Sequence, residues 1–188
     1  MAIKTITAKA GGGVDYSPGW KKLKISNAKY GTFNSKKYLD IWFDGYSENL
    51  NARVYETLNK KTGEEFKISN WFKFSNSGVQ EVIDNDSGNI IITYDDEDSN
   101  LIGNYINVLF YKDGEYSRVW REPAPVVLES SDGISYTESD VSYWKNRSER
   151  SMASFIEMST NSGGEPLGRT LSESVGDIKD SDIDDPPF

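Results

Sequence analysis

Alternation of apolar and polar residues constrains this chain more than any other feature. Over Lys36 to Tyr46, Leu39, Ile41 and Phe43 fall on one side and Tyr38, Asp40, Trp42 and Asp44 on the other. That period of two is the signature of a half-buried β-strand. Leu50 to Leu58 repeats it, with Leu50, Ala52 and Val54 opposite Arg53, Tyr55 and Thr57. The turn cluster Asn59-Lys60-Lys61-Thr62-Gly63 follows. Tyr105 to Tyr111 sets Ile106, Val108 and Phe110 on one face. Asp113-Gly114 is the strongest hairpin signal in the chain, and Tyr116 to Trp120 returns from it. Earlier, Trp20 to Phe33 carries Leu23, Ile25 and Tyr30 and is interrupted at Gly31. Pro123 and Pro125 stop the sheet.

One short helix is expected within Ser69 to Val79, with Ser69 or Asn70 as N-cap and Gly78 at its end. Three strands, a helix and a closing hairpin follow the order β-β-β-α-β-β. The expected fold class is therefore mainly β: an OB-fold-like (oligonucleotide/oligosaccharide-binding) five-stranded barrel with a C-terminal helix and a disordered acidic tail. Small sandwiches and other barrels give similar alternation. The apolar strand Ile90 to Tyr94 exceeds the minimal plan and reads as an insertion beside the helix. Residues 1–19, with Gly11-Gly12-Gly13 and Pro18-Gly19, read as a flexible arm, and 20–125 as the OB-fold-like domain. Residues 126–158 read as a connecting segment and helix. Within it, Thr137 and Asp140 approach a capping box, and Val141, Trp144, Ser148, Met152, Phe155 and Ile156 share one helical face. That face serves either as a cover for one end of the β-domain or as a homodimer contact. Residues 159–179 are Ser/Gly-rich and too poor in large apolar side chains to offset ordering entropy, so a disordered linker is expected there. Residues 180–188 form an acidic tip.

Composition narrows the chemistry. The chain has 188 residues and contains neither Cys nor His. Disulfides, zinc ribbons, thiolate nucleophiles and Ser-His-Asp triads are excluded. No apolar run reaches the ~18 residues of a membrane span, and Met1 to Ala10 lacks a signal-peptide core. A cytoplasmic protein with no cofactor is the expectation. The net charge of −9 is uneven: +6 over residues 1–73, −7 over 74–125 and −8 over 126–188. A basic first third beside an acidic tail suits a polyanion-binding surface with a built-in competitor, although solvated surfaces also vary in charge.

The outward face of the strands is unusual. It carries Tyr38, Trp42, Arg53, Tyr55, Tyr111, Tyr116, Arg118 and Trp120, joined by Lys22, Lys24, Phe33, Lys36, Lys37 and Lys112 near the strands and their loops. Aromatics interleaved with cations suit single-stranded nucleic acid, whose bases stack on rings while Lys and Arg neutralise phosphates. Part of this set is expected to be structural, packed under the helix or against a second subunit. Flat aromatics also serve glycan-binding modules, so a glycan- or protein-binding β module stays open. The cluster Asp95-Asp96-Glu97-Asp98 is the one candidate for a metal-dependent nuclease, and no Lys stands at a nuclease-like spacing, so the chain does not read as an enzyme.

The last residues are Asp180-Ser181-Asp182-Ile183-Asp184-Asp185-Pro186-Pro187-Phe188. This segment resembles the acidic tip of bacterial single-stranded-DNA-binding proteins, which end in acidic residues, an apolar residue, Pro and Phe. Pro186 stands where that family usually has Ile, which bears on affinity for host partners rather than on class. One OB domain, an acidic tail and a terminal Phe also resemble phage-encoded single-stranded-DNA-binding proteins. The resemblance implies sequence-tolerant binding of single-stranded DNA in replication, recombination and repair, in the host bacterial cytoplasm if the chain is phage-encoded. It further implies that Asp182, Asp184, Asp185, Pro186, Pro187 and Phe188 recruit partners such as a DNA polymerase, helicase or primase. A terminal Phe offers a ring to an apolar pocket and a carboxylate to its basic rim.

A linker of residues 159–179 spans on the order of 25 Å, enough for the tip to reach a basic groove as an intramolecular competitor. Deleting Asp180 to Phe188 is expected to tighten binding to single-stranded DNA, most clearly at low salt, and to abolish partner capture. Phe188→Ala is expected to lose the partner alone. Gel shifts and partner pull-downs on both variants check this, and unchanged DNA affinity after truncation would leave the tip as a solubilising segment.

Overall fold

The structure, a computed structural model, describes residues 14–84, 90–130 and 134–161. Most of the expected arm (1–13) and nearly all of the expected linker and tip (162–188) lie outside the described residues. The strands are β1 (Gly19–Phe33), β2 (Lys36–Phe43), β3 (Asn51–Tyr55), β4 (Val79–Asp84), β5 (Ile90–Tyr94), β6 (Tyr105–Asp113) and β7 (Tyr116–Val119). The helices are α1 (Lys67–Phe74) and α2 (Glu138–Asn161). The fold is mainly β.

Five strands form one antiparallel sheet in the order β3-β2-β1-β6-β7. The long strand β1 is shared: Gly19 to Lys24 pair with β6, and Ile25 to Phe33 pair with β2. A bulge between Ile25 and Asn27 resets the alternation. Before it Leu23 and Ile25 face inward; after it Ala28 and Tyr30 do. The edge strands β3 and β7 approach within 8 Å, Cα to Cα, yet no ladder joins them, so the sheet is curled and not closed.

The alternation read from β2, β3 and β6 holds. Leu39, Ile41, Phe43, Ala52, Val54, Ile106, Val108 and Phe110 are all buried in one cluster with Trp71, Phe72 and Phe74 of α1. Each large side chain buried this way contributes roughly 1.5–3 kcal/mol. The helix α1 starts earlier than expected because its cap comes from upstream. The Glu65 carboxylate accepts the N–H groups of Lys67 and Ile68, both at 2.9 Å, and of Ser69 at 2.7 Å. Those are the donors that a helix start leaves without intrahelical partners. The helix also ends at Phe74, short of Gly78.

Gly78 instead turns the chain into β4, a strand not anticipated from the sequence. Its φ is +64°, and a Cβ there would collide with the Asp95 carbonyl. Strands β4 and β5 form a separate two-stranded ribbon between α1 and β6, which gives the supernumerary strand its partner.

Thr137 and Asp140 form the capping box of α2: the carboxylate accepts from the Thr137 N–H at 2.8 Å and from its hydroxyl at 2.7 Å. Reciprocally, the Asp140 N–H donates to Thr137 Oγ1 at 3.2 Å. These bonds, the hydroxyl's first, hold the Asp140 carboxyl below its ordinary value. The cap is therefore complete above about pH 4 and is lost as pH falls through the lowered value. The apolar face of α2 is occupied by its own chain. Trp144 packs on Phe74 at 4.8 Å, Phe155 packs on Trp120 at 5.3 Å, and Ser148 donates to the Glu122 carbonyl at 2.7 Å. Among the described residues, no helix is long and apolar enough to cross a membrane.

The β1–β2 turn places Asn34 and Ser35 at φ 47° and 62°. Positive φ at both central residues is the tight hairpin turn that favours Asn followed by Gly. Ser35→Gly is expected to stabilise the fold by about 0.5–1 kcal/mol. Thermal unfolding should show a Tm higher by roughly 1–4 °C.

Candidate functional site

Residues paired side by side in a sheet point to the same face. Beyond the bulge, the outward residues of β1, β2 and β3 stand in cross-strand rows: Phe33 with Lys36; Gly31, Tyr38 and Tyr55; Lys29, Asp40 and Arg53; Asn27, Trp42 and Asn51. This face brings together Phe33, Lys36, Tyr38, Trp42, Arg53 and Tyr55 of the sequence-predicted set.

The rings are held in place by specific contacts. The tip of the Tyr38 ring lies over Gly31, where any Cβ would collide with it. Tyr38 meets Tyr55 edge-on at 5.6 Å. The Arg53 guanidinium lies 4.2 Å from the centre of the Tyr38 ring. Arg53 is locked from the side as well: Nε donates to one Asp40 oxygen at 2.8 Å and Nη2 to the other at 2.7 Å. The hydrogen bonds to Asp40 raise the guanidinium pKa further above its ordinary value. Trp42 is half-buried, and its Nε1–H donates to the Glu48 carbonyl at 2.9 Å. Phe33 is 48% exposed at the turn. Around these rings the face carries three cations, Lys29, Lys36 and Arg53, against one carboxylate, Asp40.

The rest of the predicted set lies elsewhere. Trp120, read as an outward aromatic, is only 2% exposed. It sits beneath Phe155 and beside Tyr111, with the Arg121 guanidinium 4.6 Å away, because α2 covers this half of the sheet. Burial also raises the pKa of the Tyr111 phenol. Lys37 has the opposite parity to Tyr38; its ammonium lies 4.0 Å from the Tyr30 ring and 3.5 Å from Asp96. Lys22 and Lys24 are exposed on the β1–β6 half, Lys22 over the Tyr105 ring at 5.5 Å. Lys112 donates to Ser117, and Arg118 pairs with Asp113 at 3.5 Å. Tyr116, 70% exposed, flanks Arg118 on β7, the strand that nears the free edge of β3. The β1–β2 and β6–β7 turns stand at opposite ends of β1, so Lys36 and Lys112 are far apart along the sheet.

Asn27, Lys29, Asp40 and Asn51 belong to the face and were missed as site residues. Asp40 and Asn51 were visible in the β2 and β3 alternations; Asn27 and Lys29 depend on the bulge in β1. The acidic cluster is occupied by structural contacts: Asp98 accepts the Tyr30 N–H at 3.1 Å, and Asp95 accepts the Glu97 N–H at 3.1 Å. Among the described residues, no group of three or more acidic side chains is placed to hold a metal ion.

No family model matches the chain, and no curated protein or solved structure matches it either.

Asp40 is 7% exposed, and Arg53 meets both of its carboxylate oxygens. Arg53→Ala is expected to cost roughly 1–3 kcal/mol in urea unfolding, because a buried carboxylate loses its partner. The double variant Asp40→Ala/Arg53→Ala should recover most of that loss. If the two single losses simply add, the pair is not coupled.

Proposed function

We propose that the sheet is an OB-fold-like barrel left open between β3 and β7, and that its β1-β2-β3 face binds single-stranded DNA with little sequence preference. The observation that carries the reading is the face itself: Phe33, Tyr38, Trp42 and Tyr55 interleaved with Lys29, Lys36 and Arg53 on adjacent strands. Every base has a flat π-face, so rings and a guanidinium plane accept bases of any sequence, and the cations take the phosphates. The OB reading rests on the strand order β3-β2-β1-β6-β7, on a helix between the third strand and the last hairpin, and on a first strand shared by both halves. In such folds the second and third strands carry the ligand.

In this proposal the chain is a cytoplasmic, non-catalytic binder acting in replication, recombination and repair. Asp182 to Phe188 recruit partner enzymes, in the manner of the phage-encoded proteins that the tip resembles. Lys22, Lys24, Tyr116 and Arg118 extend the strand's path beyond the central face; Trp120 has a structural role.

Titration with oligo-dT, followed by tryptophan fluorescence, tests the reading. Tyr38→Ala, Trp42→Ala and Tyr55→Ala are each expected to weaken binding by about 1–3 kcal/mol. With the three cations of the central face engaged, the salt dependence should have a logarithmic slope near about −2, steepening toward about −4 where Lys22, Lys24 and Arg118 also contact phosphates. A slope near zero would instead favour a glycan- or protein-binding module. Unchanged affinity in all three variants would remove the face from the site.

A further inference from the structure

The row of Asn27, Trp42 and Asn51 differs in chemistry from its neighbours on the candidate face. The row of Gly31, Tyr38 and Tyr55 offers rings, and in the row of Lys29, Asp40 and Arg53 the carboxylate is already spent on the guanidinium. In the Asn27–Trp42–Asn51 row, one indole stands between two carboxamides, one on each neighbouring strand. Cross-strand partners have Cβ atoms about 4.5–5.5 Å apart, so each carboxamide reaches the rim of whatever lies on the indole.

The fold prepares this row. Asn27 stands beside Trp42 because the bulge shifts the register of β1: Ile25 pairs with Phe43, and Asn27 with Trp42. The indole N–H donates to the Glu48 carbonyl, which fixes the ring. Asn27 is exposed and Asn51 half-buried, and among the described residues neither carboxamide takes part in a hydrogen bond. Lys29 and Arg53 occupy the adjacent row of the same face, so cations for phosphate lie one step from the indole.

A carboxamide presents a donor and an acceptor side by side, and it matches a base edge that offers the complementary pair. Adenine carries its amino group between two ring nitrogens, so its Watson–Crick and Hoogsteen edges both offer that pair. Guanine turns two acceptors to its Hoogsteen edge, and the pyrimidines have carbon there. A purine also covers more of an indole than a pyrimidine does.

We propose that this row is a base-reading subsite that selects adenine, an inference that rests on the face being a surface for single-stranded DNA. The adenine stacks on Trp42, and the edge it turns outward meets the carboxamide of Asn27 or Asn51. The rest of the strand is held without regard to sequence, so it slides until an adenine reaches this row. Selectivity is confined to that one position of the bound strand.

Fluorescence anisotropy with labelled oligo-dT, and with the same oligomer carrying one central dA, tests this. A single dA in a dT tract brings no stacked helix of its own. The unmodified chain is expected to bind the dA-containing oligomer about fivefold or more tightly than oligo-dT. Deoxynebularine in place of that dA is a purine without the amino group; it should stack alike and lose the gain. In the Asn27→Ala/Asn51→Ala chain the two oligomers should bind equally, whatever the change in oligo-dT affinity itself. Equal binding of both oligomers by the unmodified chain, a gain retained with deoxynebularine, or a preference retained in the double variant would each overturn the inference and leave the DNA-binding face standing. If neither oligomer binds, the face itself falls, and the inference with it.

Discussion

The change of partner along β1 is the constraint on which the rest of the structure depends. One strand cannot serve two differently oriented half-sheets while its side chains keep a single alternation. The bulge at Ile25 and Asn27 resolves this by adding one residue, so that Ile25 and Ala28 both reach the core. Everything outward is divided at the same point. On one side of it, Trp20, Asn107 and Trp120 meet α2 and the chain around Pro125. On the other, Asn27, Lys29, Gly31 and Phe33 continue an open surface into β2 and β3.

The open surface is stiff because its polar groups are matched to one another. A carboxylate as buried as Asp40 is costly unless it is paired, and the two-pronged geometry of Arg53 meets both of its oxygens. The same pairing presses the guanidinium onto Tyr38, and Gly31 leaves room for the ring beneath. An aromatic laid across a neighbouring glycine is a recurrent way to stabilise a strand that glycine would weaken. Gly31 is thus part of the surface. The sequence reading took it as an interruption of the strand, since a glycine's effect depends on its cross-strand neighbour.

What was legible in the sequence was whatever repeats locally. The alternations at Leu39-Ile41-Phe43 and Ile106-Val108-Phe110, the Asp113-Gly114 turn and the α2 capping box are all where their spacing put them. What was not legible depends on distant chain. Trp120 follows a strand residue with outward parity, and only the arrival of Phe155 buries it. Strand β4 has an uneven pattern that acquires meaning only when Ile90 to Tyr94 pair with it. The α1 start was misplaced because a Glu two residues upstream does the work usually expected of Ser or Asn. The outward rings of β2 and β3 share one face as the alternation placed them, because both neighbours are close in sequence, whereas Trp120, just beyond β7, is buried by a helix that is not.

The shared strand also orders events in time. The candidate face is assembled from β1, β2 and β3, all within the first 55 residues, through two short antiparallel connections. The first half of β1 finds its partner only when Tyr105 to Phe110 exist, and the cover over Trp20 only when Glu149 does. On a growing chain, the local meander can therefore form well before the distant pairing that completes its interior. Long-range pairing of this kind slows folding, and until it happens the inner side of the meander, Leu39, Ile41 and Val54 among it, faces water. A nascent chain of this protein thus spends the middle of its synthesis as a two-sided sticky sheet, and its vulnerability to aggregation and to chaperone capture is concentrated between the emergence of β3 and that of β6.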